Sequence, residues 1–390
     1  MNDRSADFSM ALGGPLYQLY LKAGLAKPPL DLLARRLVAI PLFAWLPLAL
    51  LSLWGGAAFG GVDVPFLNDI EAHVRFLIAM PLFILAEPIV HVRLRAVIAH
   101  FTDAGIVPAS ERGSFDRILD SAIRWRNSVA VELVLMTLAL TVGRSAWLAE
   151  GALKTATWYA HAGAGGVELT AAGQWYTWVS VPFFQFITFR WFYRMLVWFG
   201  ALMRIARMDL RLVPTHADRS GGLGFLGTTV EAFAPLVTAQ GALVAGLIAS
   251  QVFHGGKAVM DFKIEMIGAL VLAMAQVLLP LCVFVPKLGK CRRDGLHAYG
   301  RLCSQYVDRF DRKWIRGQGC EGQDLLGNGD IGALADIGSA YDAVRGMRSF
   351  PFGRKEVVQL AVAAMLPVAP LFLTMMSPAE LLKKIMGFLM

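Results

Sequence analysis

WYTWVSVPFFQFITFRWFYRMLVWFGALMRIARMDLRLVPTHADRSGGLGFLGTTVE, residues Trp175 to Glu231, is the stretch whose reading decides the fold. It reads as one long membrane helix, a short turn and the start of the next helix. Between Trp175 and Met203 the only ionisable groups besides tyrosines are Arg190 and Arg194. At about 1.5 Å per residue this run reaches about 43 Å, more than the hydrocarbon thickness of a bilayer. Both arginines are therefore expected at membrane depth. On a helical wheel Arg190, Arg194, Ala201, Arg204 and Arg211 share one face. A basic stripe is expected to descend from mid-membrane into a turn holding His216, Asp218 and Arg219.

Working outward, the composition agrees with a bilayer setting. Of the 390 residues 56% are hydrophobic and 17% charged, against roughly 25% charged in soluble domains. A mean hydropathy of +0.53 points the same way and excludes an ordinary soluble domain. The net charge of +8 would suit nucleic acid, but the charges fall in alternate loops, which is the pattern of membrane orientation and not of a nucleic-acid surface. The first apolar run begins near Leu37 and is too long for the core of a secretory signal, so an uncleaved anchor is expected. Cys282, Cys291, Cys303 and Cys320 form no Cys-x-x-Cys and all lie in or after the sixth apolar segment, which speaks against disulfides and structural zinc.

Taken in order, residues 1–36 read as an interfacial segment on the inner leaflet, with Leu16, Tyr17, Leu19, Tyr20 and Leu21 beside Lys22 and Lys27. Apolar spans follow at about 37–59 and 76–92, within a unit 37–92. A helical hairpin at 93–127 mixes six arginines with acids. Span three covers about 128–149, and a Gly- and Ala-rich loop at 150–173 returns to span four, where Trp175, Tyr176 and Trp178 mark the outer interface. Span five, about 229–252, carries Gly241, Ala245 and Ala249 on one row with Ala242, Gly246 and Ser250 beside it, a small-residue pattern that lets helices approach closely. Span six, about 264–286, closes a core at 128–286 that includes the turn 204–228. It runs into a module at 287–355, where Leu296, Tyr299, Leu302, Tyr306, Phe310 and Trp314 recur every three or four residues. After a glycine-rich linker, a second amphipathic helix carries Ile331, Leu334, Ile337, Tyr341 and Val344. Span seven is placed at 356–376. Residues 377–390, opening Ser377-Pro378-Ala379-Glu380, read as a capped C-terminal interfacial helix.

The fold class expected is an all-α integral membrane protein of about seven transmembrane helices, or six if the last segment does not cross, with a small cytoplasmic helical module. Lysine and arginine count 28 in the N-terminal segment and the loops on its side against 6 in the alternate loops and C-terminus. This predicts a bacterial inner membrane protein with a cytoplasmic N-terminus and a periplasmic C-terminus.

Gly222-Leu223-Gly224-Phe225-Leu226-Gly227 matches GxGxxG, but no strand precedes it and a span follows, so a dinucleotide fold is excluded. Read as GxxxxG it lacks the lysine of a phosphate-binding loop. What survives is geometric: glycines opening a helix expose N–H groups at its positive end, with Arg211, His216 and Arg219 just upstream, an arrangement that suits an anion. The plainer alternative is a tight turn between two helices. Thr228-Thr229-Val230-Glu231 reads as a capping box, which would give Glu231 a local role. Glu87 and His91, four apart, share a face of span two, and Glu132 lies near the same depth on span three. These are candidate charge partners for Arg190 and Arg194, or proton relays. Their spacing matches neither di-iron bundles nor zinc hydrolases. Asp324–Asp330 fails the calcium-loop pattern at Leu326 and Ala335. Pro214–Leu226 and Asp330–Asp336 resemble segments of uncharacterised bacterial multi-pass membrane proteins. That resemblance implies a multi-pass membrane fold and carries no function and no site residue.

Three function classes remain. The first is a transporter or channel for a small anion, using Arg190, Arg194, Arg211, His216, Asp218, Arg219, Gly222 and Gly224. The second is a scaffold or sensor whose cytoplasmic helices bind a protein partner, homo-oligomerisation remaining open. The membrane enzyme has the least to stand on, because no nucleophile–base pair, metal set or cofactor motif can be assembled from the spacings.

Overall fold

The computed structural model describes residues 8–28, 30–143, 157–163, 166–318 and 329–373. The chain is nearly all helical, at 77%. After the short α1, Pro15–Lys22, four helices among the described residues are long and apolar enough to cross a membrane: α2, Leu33–Trp54; α3, Ile70–Asp103; α7, Thr228–Gly255, whose apolar run starts at Gly224; and α8, Lys263–Cys282, entered from Val259. Such helices lose nothing by burial in lipid, because every interior backbone group is bonded within the helix. α3 reaches about 51 Å at helical rise, beyond any hydrocarbon core, and carries a π segment at Val74–Ala79.

The seven-span count does not follow from these elements. Val129–Thr141, containing α5 (Val129–Leu138), is apolar but shorter than a crossing helix. The central helix α6 runs over residues 171–207 as Ala171–Trp175, a π turn Tyr176–Ser180 and Val181–Arg207, and it is not among the four. The expected seventh span is divided into α11, Arg354–Met365, and α12, Ala369–Leu373. Pro367 lies at the break and has no N–H to donate back to the Ala363 carbonyl, although Leu366 itself is still helical at φ −52° and ψ −43°. The expected C-terminal helix lies outside the described residues.

α7 sits at the centre of the packing, against α3 on one side and α11 on the other. Gly241 makes the second contact possible, because a Cβ there would stand 2.0 Å from the Ala364 carbonyl oxygen. α6 packs on α4, Arg112–Arg126, and on the turn after α5. Beyond the membrane-length helices, α9, Val285–Phe310, pairs with α10, Gly329–Arg345, as the expected amphipathic pair. Gly295 marks their crossing with the 208–214 loop, where a Cβ would lie 2.7 Å from Pro214 and 2.9 Å from Val344.

Three expectations are corrected. The N-terminal segment is not laid on a surface: Phe8, Ser9, Met10, Ala11, Leu16, Tyr17 and Tyr20 are all buried within the protein, and Phe8 packs on Trp198. The loop before α6 contains a short antiparallel hairpin, β1 (Ala160–Gly163) with β2 (Gly166–Leu169). Its approach drives Trp158 to zero exposure against Phe66 and Tyr176. Finally, Glu231 is not part of a capping box. The 3-10 turn Gly224–Gly227 already carries the chain into α7, and Glu231 pairs with Arg93 at 3.1 Å.

Candidate functional site

Arg190 and Arg194 stand one turn apart on α6 and are both 4% exposed. Both face the interior of the protein. Arg190 donates through Nε to Glu132 Oε1 at 3.1 Å and through Nη1 to Glu87 Oε1 at 3.3 Å. Arg194 donates through Nη1 to the same Glu87 oxygen at 3.1 Å. Glu87 reaches the cluster from α3 and Glu132 from α5, so one helix is tied to two others through charge. Arg194 also lies over the Trp191 ring at 5.2 Å.

The Nη2 of each arginine turns to the N-terminal segment. Arg190 Nη2 donates to the Gly13 carbonyl at 3.1 Å and Arg194 Nη2 to the Ala11 carbonyl at 2.9 Å. Arg126, at the end of α4, donates to the Ser9 carbonyl. The Leu16 N–H donates in turn to Glu132 Oε2 at 3.1 Å. Gly13 and Gly14 make this path possible. Their φ values of +121° and +85° are open chiefly to glycine, and a Cβ would meet Asn127 Oδ1 at 2.2 Å or Glu132 Oε1 at 2.3 Å respectively.

Arg36 completes the cluster and was missed by the sequence reading, which left it at the end of the interfacial segment 1–36. It lies on α2 at zero exposure, with Nη1 3.6 Å from Glu87 Oε2 and Nη2 donating to the Leu30 carbonyl at 2.9 Å. Its Nε and Nη1 have no hydrogen-bond partner. The signal was present: Arg36, Ile40, Ala44 and Leu48 recur every four residues and are all buried, so the apolar face of α2 extrapolates back onto Arg36 and not onto the exposed Arg35. Counting Arg36, Arg190 and Arg194 against Glu87 and Glu132 leaves the buried centre with surplus positive charge, with Arg126 beside it.

His91 does not join this cluster. Its Nδ1 lies 2.8 Å from Ser9 Oγ, so it too contacts the N-terminal segment.

The lower end of the expected stripe is a separate feature. α6 stops at Arg207, and Arg211 lies beyond it in the following loop, exposed, as are His216 and Arg219. Asp218 fills the glycine turn with its own carboxylate, accepting N–H groups from Ser220 at 2.8 Å, Gly222 at 3.2 Å and Gly224 at 2.7 Å. Burial pushes the Asp218 carboxyl up, but those three donors together with His216 outweigh it and hold the group below the usual carboxylate range. The donors that would have received an external anion are thus engaged by an internal one. Arg348 staples the turn from outside, donating to the Asp218 carbonyl at 2.9 Å.

Comparison with known proteins adds no family: no family model, no curated protein and no solved structure matches the chain.

Proposed function

We propose that the protein binds and passes a small anion through the cluster of Arg36, Arg190 and Arg194, and that the conformation described here is its closed one. The single observation that carries this reading is the surplus of buried positive charge, with the Nε of a fully buried Arg36 unpartnered and its Nη1 held only by the 3.6 Å ion pair with Glu87. A purely structural network gains by matching charges, because an uncompensated buried ion costs several kcal/mol. Charged groups inside a membrane bundle are retained where a charged species visits. The turn at 208–224 is left out of this site because Asp218 already occupies it.

The setting that accords with this reading is a bacterial inner membrane, the basic N-terminal side in the cytoplasm. Seven crossings would require α6, the third apolar span at about 128–149 that contains α5, and the α11–α12 region to be counted with the four apolar helices. Six would result if the last does not cross.

The test is reconstitution of the parent and Arg194→Leu in liposomes, with flux of chloride, nitrate, phosphate and sulfate measured. The parent is expected to conduct slowly, as a protein mostly closed, and Arg194→Leu to fall to baseline while remaining folded. Equal flux in a folded Arg194→Leu protein would remove the cluster as the pathway. Absence of flux in both the parent and Gly14→Ala would remove the anion reading.

A scaffold role is the second reading, favoured by the α9–α10 hairpin. Leu302, Val307, Ile315 and Ile331 are exposed along it, and residues 287–316 hold nine lysines and arginines against three aspartates. An acidic protein segment with an apolar face would complement that surface. A photo-crosslinker at Val307 of the full-length protein in native membranes is expected to give one discrete adduct that weakens with salt. A ladder of unrelated adducts would refute it.

A further inference from the structure

We infer that residues 8–14 act as a built-in competitor for an oxoanion, their carbonyl oxygens standing on the arginines where the oxygens of that ligand would bind. The inference rests on the anion reading of the cluster and assigns its ligand class and its regulation.

The geometry is regular. Carbonyls of Ser9, Ala11 and Gly13 serve Arg126, Arg194 and Arg190 in turn. Alternate residues of one short non-helical segment therefore meet three different guanidinium groups. Carbonyl oxygens carry only partial charge, whereas an oxoanion adds the Coulomb attraction of a full negative charge to the buried cations. A free oxoanion would hold these donors better than the segment does, oxygen for oxygen. The segment holds its place through other contacts: Phe8 on Trp198, Ser9 on His91, and the Leu16 N–H on Glu132.

The donor set defines the ligand. With the segment withdrawn, Arg190 keeps Nε and Nη1 on the two glutamates and Arg194 keeps Nη1 on Glu87. Each then presents a freed Nη2, one helical turn apart, and Arg36 brings an unpartnered Nε and an Nη1 that makes no hydrogen bond and only a 3.6 Å ion pair with Glu87. Donors on separate side chains are best satisfied by several oxygens on one centre, as in phosphate, sulfate or a phosphoryl group, and poorly by a halide. The surplus charge of the cluster sets the sign.

Gly14 provides the test, because a methyl there meets Glu132 Oε1 and the φ of +85° is strained for alanine. Full-length parent, Gly14→Ala and a deletion of residues 2–14 would be placed in nanodiscs. Hydrogen exchange over residues 8–16 reports whether the segment has left, and calorimetry at constant ionic strength reports binding of sulfate, phosphate and chloride. Release in Gly14→Ala, with sulfate and phosphate binding at least tenfold tighter than in the parent and chloride little changed, is the expected result. A tenfold gain corresponds to a competent fraction of about one-tenth or less in the parent. Should Gly14→Ala keep the segment seated, the deletion gives the same reading. Equal sulfate affinity in parent and released protein would overturn the competitor while leaving the anion site standing. No binding of any anion to folded, released protein would overturn both.

Discussion

Glu87→Gln should be the most damaging conservative change in the bundle. The glutamate accepts from Arg190 and Arg194 through one oxygen and lies 3.6 Å from Arg36 through the other, so three buried cations depend on it. Glutamine keeps the size and one carbonyl acceptor, so packing stays intact while the charge is lost and the second acceptor oxygen becomes an NH2 donor. Removing one partner of a buried pair costs about 3–5 kcal/mol, because the uncompensated charge stays behind. The matched control is Glu231→Gln, whose partner Arg93 is half exposed, with side-chain exposures of 50% and 38% for arginine and glutamate. An exposed pair of that kind contributes at most about 1 kcal/mol. Both variants would be unfolded by denaturant in mixed micelles alongside the parent, and Arg194→Leu would be added to each. In the Glu87→Gln background Arg194→Leu should restore part of the loss, a coupling of about 1 kcal/mol or more. The reasoning fails if Glu87→Gln unfolds within about 1 kcal/mol of Glu231→Gln, or if the two cluster substitutions simply add.

Gly241→Ala should loosen α11 from α7, since the new Cβ would fall 2.0 Å from the Ala364 carbonyl oxygen. A loss of about 1–3 kcal/mol is expected from such overpacking, read as a lower melting temperature, whereas Gly268→Ala on α8, which meets nothing within 4 Å, should leave it unchanged. The 208–224 turn should loosen in acid. The Asp218 carboxyl is depressed in the folded chain, so its stabilisation is complete above the ordinary carboxylate pKa of about 3.9 and disappears as pH falls through its lower folded value. Proteolysis of the turn between pH 6 and pH 2 should accelerate only at the acid end for the parent, and at every pH for Asp218→Ala.

The arginine pair on α6 was readable in the sequence because its signal is periodic. Two cations four residues apart in an otherwise apolar run leave few faces to occupy, and opposite charges of similar depth on neighbouring helices are limited to Glu87, Glu132 and their surroundings. Other signals misled for local reasons. Thr228-Thr229-Val230-Glu231 has the composition of a capping box, but a box needs an extended residue at the cap, and Thr228 is helical at φ −66° and ψ −17°. Thr228 therefore bonds back to the Phe225 carbonyl. The glycine turn had the composition of an anion site, and the missing consideration was that Asp218, four and six residues before Gly222 and Gly224, is itself the nearest anion. The hairpin at 160–169 carries little β-forming composition, and its position follows from Trp158 finding Phe66 and Tyr176.

The N-terminal segment was the part least available to sequence reading, and the reason bears on how such stripes are interpreted. Its contribution to the arginines is made by backbone carbonyls, which every residue possesses, so no side-chain pattern announces it. Only Gly13-Gly14-Pro15 hinted at an unusual path, two residues able to take positive φ before a helix start. A buried arginine has five N–H donors to satisfy, and Glu87 and Glu132 take three of those on Arg190 and Arg194. Some other acceptor was therefore required from the outset, whether carbonyl, water or anion. Here the carbonyl acceptor is drawn from a segment that packs beside the cluster and belongs to none of the four membrane-length helices. On the anion reading proposed above, that choice leaves the cationic site complete with the segment seated and open to a charged ligand with it withdrawn, Glu87 and Glu132 holding the arginines in both.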